Sequence, residues 1–335
     1  MHRRAFALVA LLTGLACLGG ATACKKGGSS GSSGGMKIAV VPKGTTHEFW
    51  KAVHAGAVKA GKELNAEILW NGPLKEDDLK GQIDIVQSFT TQGVSGIVLA
   101  PLNDKALQKS VKDATNSKVP VLVFDSDLQG SDHVAFVATD NLAAGKMAGE
   151  EMARLLGDKG NVVELRYQVG SASTSNRENG FLDAIKAHGG ITVTSENQYG
   201  GATTETANEK SESLLAAQKA GENGVQGIFC PNESTTFGML LALRKTGLNG
   251  KIKFIGFDSS DKLIEGLAAG DLDALVLQDP FGMGYTAVKT LVDHIQGKTI
   301  EKRIDTGAKL LKKDNMEQPA MKELLHPDLK KWLGE

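Results

Sequence analysis

The stretch KIKFIGFDSS at Lys251–Ser260 repeats the earlier stretch KVPVLVFDSD at Lys118–Asp127. Both are short apolar runs that favour β-strands, and both continue into Phe-Asp-Ser. The runs GVSGIVLAP at Gly93–Pro101 and GVQGIFCPN at Gly224–Asn232 precede them at nearly the same distance. Two echoes in the same order indicate two similar lobes, each with a strand, a helix, a second strand and an acidic strand end.

Apolar strand patterns alternate with helical patterns along the body of the chain. The strands are apolar throughout, which is typical of parallel sheets covered by helices on both faces. The predicted fold class is therefore α/β, with two similar doubly wound parallel-sheet lobes joined by a multi-strand hinge. We predict an N-terminal lobe of residues 36–139 plus 280–307 and a C-terminal lobe of residues 140–279 plus 308–335. A hinge of several strands lets two rigid lobes close on a ligand.

The first 35 residues predict export. A basic stretch at residues 2–4 precedes an apolar run that ends near Leu18, so residues 1–23 have the pattern of a secretory signal peptide. Cys24 follows three small residues, which resembles the processing site of bacterial lipoproteins, where the Cys is lipidated. Ordinary cleavage beside an incidental Cys is the alternative. Residues 24–35 are read as the lipidated Cys and a Gly/Ser tether, so we expect a periplasmic or cell-envelope protein anchored to a membrane.

The composition argues against several classes of function. The net charge is -1 with acids and bases interspersed, so no basic face indicates a nucleic acid partner. Cys230 is the one cysteine of the body, which excludes an internal disulfide and favours a buried thiol over a nucleophile. The body lacks zinc-ligand spacing, a phosphate loop and a nucleophile elbow. We therefore expect no metal, no cofactor and no catalytic residues. We also expect a monomer.

The duplicated strand ends are the first candidates for a ligand site. Asp125 and Asp258 follow the two repeated strands, and open α/β sheets bind ligands at the carboxyl ends of their strands. A carboxylate can accept charge-assisted hydrogen bonds from neighbouring hydroxyls. Each Asp could instead cap a following helix. Two lobes that face each other would bring both carboxylates to one cleft.

Further candidates follow other strands. Phe49 and Trp50 are adjacent aromatics, which can stack on the C–H faces of sugar rings, although Trp50 could belong to the core and Phe49 could staple the helix start. Arg177 begins a predicted helix over residues 177–187, and its planar guanidinium could clamp hydroxyl oxygens or lie in solvent. Asn232 and Gln278 are strand-end amides, which could bind ligand or simply form turns.

Together these residues resemble the ribose-binding branch of periplasmic sugar-binding proteins, the soluble receptors of ABC importers. The similarity covers about Lys37 to Gly307, and the matching motifs are the aromatics Phe49 and Trp50, Asp125, Arg177 before Glu178-Asn179-Gly180-Phe181, Asn232 before Glu233, Gly256-Phe257-Asp258, and Gln278. The resemblance implies the type I periplasmic binding protein fold and ABC permease subunits as partners. It also implies that the aromatics stack on a sugar ring and that the polar side chains bond to its hydroxyls.

Three positions depart from the ribose-binding pattern. Ser126 stands where those proteins usually carry Arg, Lys43 replaces a small polar residue and His47 replaces Asn. We include all three in the predicted ligand-binding site and expect a hydroxyl pattern other than that of ribose. Lys43 after a Pro also resembles the sites of receptors for modified or open sugars, and it would be the natural contact of a phosphorylated ligand.

The resulting hypothesis is a receptor that closes on a sugar or sugar-like ligand and delivers it to an ABC importer. A sensor that feeds a chemoreceptor or histidine kinase is an alternative with the same fold. A glycosidase could use paired Asp residues as acid and base, but the candidate site is rich in hydrogen-bonding amides. A transcriptional regulator is disfavoured because a secretory leader stands where a DNA-binding helix-turn-helix would be.

Overall fold

The computed structural model describes residues 35–334, so the predicted signal peptide, Cys24 and most of the tether lie outside the described residues. The strands are β1 Met36–Val41, β2 Ala66–Trp70, β3 Gly96–Leu99, β4 Val121–Phe124, β5 Phe136–Ala138, β6 Gly160–Arg166, β7 Ile191–Tyr199, β8 Gly227–Phe229, β9 Lys253–Phe257, β10 Ala274–Leu277, β11 Arg303–Asp305 and β12 Lys309–Leu311. The helices are α1 Glu48–Leu64, α2 Leu79–Gln92, α3 Gln108–Asn116, α4 Asn141–Leu156, α5 Ala172–Ala187, α6 Thr204–Ala217, α7 Glu233–Thr246, α8 Asp261–Ala269, α9 Pro280–Ile295, α10 Pro319–Leu325 and α11 Leu329–Leu333. None of these helices is long and apolar enough to cross a membrane.

The strands form two sheets of six, one in each lobe. The first has the order β11-β5-β4-β3-β1-β2 and is parallel throughout. The second has the order β12-β10-β9-β8-β6-β7, and only its edge strand β12 is antiparallel. The α/β fold class with two similar parallel-sheet lobes is confirmed.

The chain crosses between the two sheets at three places. It leaves the first sheet after β5, returns from β10 into α9, which packs on β3 and β4, and crosses again between β11 and β12. Three adjacent crossings make a hinge whose strands bend together.

The final segment contacts both lobes, whereas residues 308–335 were expected to belong to the C-terminal lobe alone. Met321 of α10 packs into the core of the second lobe. Helix α11 instead packs on α1 of the first lobe, because the ring of Trp332 offers its face to Lys62, whose Nζ lies 5.3 Å from the ring centroid.

Each sheet has an apolar core on both faces, as the alternation of side chains along a strand requires. In β1, Val40 packs on the α1 and α9 side, while Ala39 and Val41 face α2 and α3. Cys230 is fully buried in the core of the second lobe. Apolar residues therefore occupy the sheet faces, and polar groups collect at the strand ends.

One pair of helices in each lobe approaches so closely that glycine is required at the crossing. In the second lobe, a Cβ at Gly145 of α4 would lie 2.0 Å from the carbonyl oxygen of Arg177, and a Cβ at Gly180 of α5 would lie 2.2 Å from that of Leu142. In the first lobe, Gly56 of α1 and Gly284 of α9 form the corresponding pair. The contacts between α4 and α5 fix how α5 packs in the second lobe, and so they fix the position of Arg177, which lies on α5.

We expect Gly145→Ala to lower the free energy of unfolding by about 1–3 kcal/mol, because the added methyl group must push α5 away from α4. Gly189→Ala is the matched control, since a Cβ there meets nothing within 4 Å. Chemical denaturation of both variants measures the difference. Equal stability of Gly145→Ala and the wild type would show that the helices separate at no cost.

Candidate functional site

The two duplicated strand ends meet in one cleft between the lobes. Asp125 follows β4 and Asp258 follows β9, and both have left-handed backbones with φ of 60° and 67°. Asp tolerates the left-handed conformation better than most residues. At both positions this conformation turns the backbone sharply away from the preceding strand. Both carboxylates are buried and line the same cavity, which is partly open to solvent.

Nine of the ten residues predicted for the site line this cavity: Lys43, His47, Phe49, Trp50, Asp125, Arg177, Asn232, Asp258 and Gln278. The tenth, Ser126, is fully buried beside it and does not line it. Its hydroxyl accepts a hydrogen bond of 3.1 Å from the backbone N–H of Ser173, in the first turn of α5. Ser126 therefore joins the first lobe to the second, which is a different role from the ligand contact that was expected.

Arg177 is held on every side within the second lobe. Its helix begins at Ala172, so Arg177 lies in the second turn and not at the helix start that the sequence suggested. Its Nε donates to Asn141 Oδ1 at 2.8 Å, its Nη1 donates to the carbonyl of Pro231 at 2.9 Å, and the guanidinium lies 3.9 Å from the ring centroid of Phe257. The alternative of a solvated Arg is wrong, because the residue is buried.

Asp258 is the centre of the second-lobe wall. Its Oδ1 accepts a hydrogen bond of 2.8 Å from Gln278 Nε2, and its Oδ2 accepts one of 3.1 Å from the backbone N–H of Glu233. Arg177 Nη1 lies 3.8 Å from Oδ2. Burial raises the pKa of Asp258, against the effect of the Arg177 charge. The same burial lowers the pKa of Arg177.

Lys43 connects the first-lobe wall to the second lobe. Its Nζ lies 3.1 Å from Asp125 Oδ2, and it donates to the hydroxyls of Ser173 at 2.9 Å and Ser171 at 3.3 Å. The side chain is buried, so its charge is compensated by Asp125 at close range.

Glu76 is the main residue of the cavity that the sequence analysis missed. Its Oε1 accepts hydrogen bonds from Trp50 Nε1 at 2.6 Å and faces His47 Nδ1 at 2.9 Å, while its Oε2 accepts from the hydroxyl of Tyr167 in the second lobe. Glu76 lies six residues beyond the end of β2, in the acidic run Glu76-Asp77-Asp78. That run after a strand is the signal that could have identified it. The other missed residues of the lining are Tyr167, Ser173, Thr174 and Glu233.

The charges of this corner are tightly coupled. Burial is the largest single influence and favours neutral forms of both His47 and Glu76, but the partner's charge, the hydrogen bond between them and further neighbours together outweigh it. The pKa of His47 is raised to about 9 and that of Glu76 is lowered to about 2. Burial also raises the pKa of Tyr167 well above its usual value, so its hydroxyl stays protonated and can donate.

The two aromatics belong partly to the core and partly to the site. Trp50 packs into the first-lobe core with its ring edge-on to Phe124 at a centroid distance of 6.2 Å. Phe49 meets Trp50 edge-on at 4.9 Å, and both rings also line the cavity. Trp50 therefore belongs both to the core of the first lobe and to the lining of the cavity.

Two helix caps, one from each lobe, cross the cleft beside the cavity. The carboxylate of Glu233, at the start of α7, accepts from the backbone N–H groups of Glu48 and Phe49 at 3.3 and 3.2 Å. The carboxylate of Glu48, at the start of α1, accepts from the N–H of Asp261 at 3.1 Å. Burial raises the pKa of Glu233 to about 7, although the His47 charge opposes this shift.

Two buried acceptors in the cavity lack a well-aligned donor. They are Asp125 Oδ2 and Gln278 Oε1, and both residues are less than 5% exposed. Buried polar atoms normally have hydrogen-bond partners, so such acceptors suit a ligand that brings O–H or N–H donors. Among residues 35–334 no group of three or more His, Cys, Asp or Glu side chains is arranged to hold a metal ion.

The chain is similar in sequence to a described protein family and to a known transport protein. Residues 38–299 match the family model described as periplasmic binding protein domain. The ribose import binding protein RbsB of Haemophilus influenzae is 28% identical over 287 residues, which cover 84% of this chain and 94% of that protein.

Two solved structures are similar at the level of fold and sequence. A periplasmic component of an ABC-type sugar transport system from Hahella chejuensis has 37% identity and a TM-score of 0.79, over 82% of this chain and 99% of that one. A carbohydrate transporter solute binding protein from Agrobacterium radiobacter, solved in complex with D-arabinose, has 33% identity and a TM-score of 0.83, over 88% of this chain and all of that one.

The coupling of His47 to Glu76 predicts a pH dependence of stability. A histidine whose pKa rises on folding from 6.5 to about 9 stabilises the folded state fully below pH 6.5 and loses this contribution as the pH rises to about 9. As the pH rises from 6.5 to about 9, we expect the unfolding free energy of the wild type to fall by on the order of 2–3 kcal/mol more than that of His47→Gln. Urea denaturation of both proteins across this range measures it. Parallel pH profiles would show that His47 is not charged in the fold.

Proposed function

The chain belongs to the family of periplasmic binding protein domains, and on that premise we propose that it is an extracytoplasmic receptor that closes on one sugar-like molecule and delivers it to an ABC importer. The observation that carries the proposal is the cavity between the two lobes, where both duplicated aspartates and the buried Arg177 converge. Contacts from both lobes are available to a ligand only when the lobes meet, so ligand favours the closed arrangement.

The polar groups of the cavity suit a polyhydroxylated ligand. Asp125 and Gln278 offer buried acceptors that lack a well-aligned donor and can receive hydroxyl protons, while Asn232 and Arg177 can donate to hydroxyl and ring oxygens. The edge of Phe49 offers apolar contact to C–H groups. The relatives named above for ribose import and for a D-arabinose complex support the same class of ligand.

The charge balance favours an uncharged sugar over a phosphorylated one. Each cation of the cavity already faces a carboxylate: Lys43 faces Asp125 at 3.1 Å, His47 faces Glu76 at 2.9 Å, and Arg177 faces Asp258 at 3.8 Å. The N-terminus of α1, which could otherwise attract an anion, receives the carboxylate of Glu233. A phosphate would therefore meet carboxylates without a free cation to compensate its charge.

The remaining parts of the proposal concern where the receptor acts. We propose that residues 1–23 direct export, that Cys24 carries a lipid anchor, that the receptor is a monomer, and that residues 36–139 plus 280–307 move as one lobe. Transport is favoured over sensing because the relatives are named for import or transport. A glycosidase is not favoured, because Asp258 is bound by Gln278 and by the Glu233 N–H, and so is not poised as a free acid or base.

We expect uncharged pentoses, hexoses or polyols to raise the melting temperature, since a ligand that binds only the folded protein stabilises it. The matched phosphorylated sugars should raise it less or leave it unchanged. A thermal-shift screen that pairs each sugar with its phosphate makes the comparison. Stabilisation by the phosphates alone would contradict the charge argument, and stabilisation by neither group would contradict the receptor function.

For a sugar found in that screen, Arg177→Ala and Asp258→Ala should each weaken binding by about 2–5 kcal/mol, because each leaves a buried polar partner unpaired. Arg244→Ala is the control, since Arg244 forms an ion pair with Asp271 in the same lobe outside the cavity, with Nη2 2.7 Å from Oδ2. Calorimetry on the three variants decides the matter. Unchanged affinity in both cavity variants would remove Arg177 and Asp258 from the site.

A further inference from the structure

The hydrogen bond between Glu76 and Tyr167 joins the two lobes directly. Glu76 belongs to the loop between β2 and α2 of the first lobe, and Tyr167 follows β6 of the second. The hydroxyl of Tyr167 donates to Glu76 Oε2, and both residues are buried. No ligand atom is needed for this contact, because both partners are side chains of the protein.

Each partner is positioned within its own lobe before the two meet. Trp50 Nε1 and His47 hold the other oxygen of Glu76 in the first lobe. The backbone N–H of Tyr167 donates to Glu178 Oε1 at 3.0 Å in the second lobe. Since the carboxylate of Glu76 is already oriented, little of its side-chain freedom is lost when the hydroxyl reaches it.

The surrounding contacts mark this corner as a place where the lobes meet. Gln168 Nε2 donates to the carbonyl oxygen of Glu76 at 2.9 Å, and the N–H of Asp104 donates to the carbonyl of Gly170 at 2.9 Å. All of these bonds join the first lobe to the segment that follows β6. They exist only when the lobes are together.

We propose that Glu76 and Tyr167 form a latch that stabilises the closed arrangement of the lobes without a ligand, so that the closed receptor is populated before ligand binds. This inference rests on the receptor function proposed above. A hydroxyl bonded to a buried carboxylate forms one of the stronger kinds of hydrogen bond, and this one is made only on closure. In this role Tyr167, which also lines the cavity, is a positioning residue whose effect on closure acts through the lobes.

A matched Tyr–Glu pair elsewhere in the protein provides the control. Tyr285 of α9 donates to Glu63 Oε2 of α1 at 2.7 Å, and both helices pack within the first lobe. Removing the hydroxyl of Tyr285 therefore deletes a Tyr–Glu hydrogen bond, here an exposed one, without touching the contact between the lobes.

The test uses the ligand-free protein. Small-angle X-ray scattering of Tyr167→Phe should show a larger radius of gyration than the wild type, with the ratio of closed to open molecules reduced roughly tenfold. Tyr285→Phe should give the wild-type scattering curve. Identical curves for Tyr167→Phe and the wild type would overturn the latch.

A double-mutant cycle tests the pairing itself. If Glu76 is the partner, Tyr167→Phe should have no further effect on scattering in a Glu76→Ala background, whereas an equal effect in both backgrounds would assign Tyr167 another partner. Should Glu76→Ala fail to fold, which circular dichroism would reveal, the comparison of the two Tyr→Phe variants still decides. Because scattering needs no sugar, a failed ligand screen would contradict the receptor function and leave the latch result standing.

Discussion

A buried charge needs a partner, and in this protein the partners of the cavity charges lie partly on the opposite lobe. Lys43 of the first lobe faces Asp125 in its own lobe and donates to Ser171 and Ser173 in the other. Glu76 collects donors from both lobes. Opening the cleft would break these bonds and expose the groups to water. The pairing of the cavity charges therefore depends on how the lobes are arranged.

The walls of the cavity are rigid because each lobe is closely packed around its own sheet. The crossing of α4 and α5 is close enough that Gly145 and Gly180 admit no Cβ. Arg177 is fixed on α5 by Asn141, the Pro231 carbonyl and the Phe257 ring. A ligand therefore meets a preorganised second-lobe wall, which reduces the entropy that binding must overcome.

The helix caps formed by Glu48 and Glu233 extend this coupling to the helix termini. The N–H groups at the start of a helix lack partners in their own helix and attract negative charge. Here the N-termini of α1 and α8 receive carboxylates from the opposite lobe. Glu233 also donates its own N–H to Asp258. Glu233 therefore belongs both to the contact between the lobes and to the second-lobe wall of the cavity.

The fold class, the two-lobe organisation and seven residues of the cavity lining followed from local pattern, since strand periodicity and the side chains just past strand ends can be read from the order of the chain. Lys43 and His47 were added through the resemblance to the ribose-binding pattern. The acidic run after β2 marks Glu76 as a candidate, but chain order could not pair it with Tyr167, which lies 91 residues away. Nor could it show that Ser126 points at α5, that Arg177 is buried in a second helical turn, or that α11 returns to the first lobe. These are consequences of packing two lobes together, where the distance between groups, and not their spacing along the chain, sets which charges and donors must be paired.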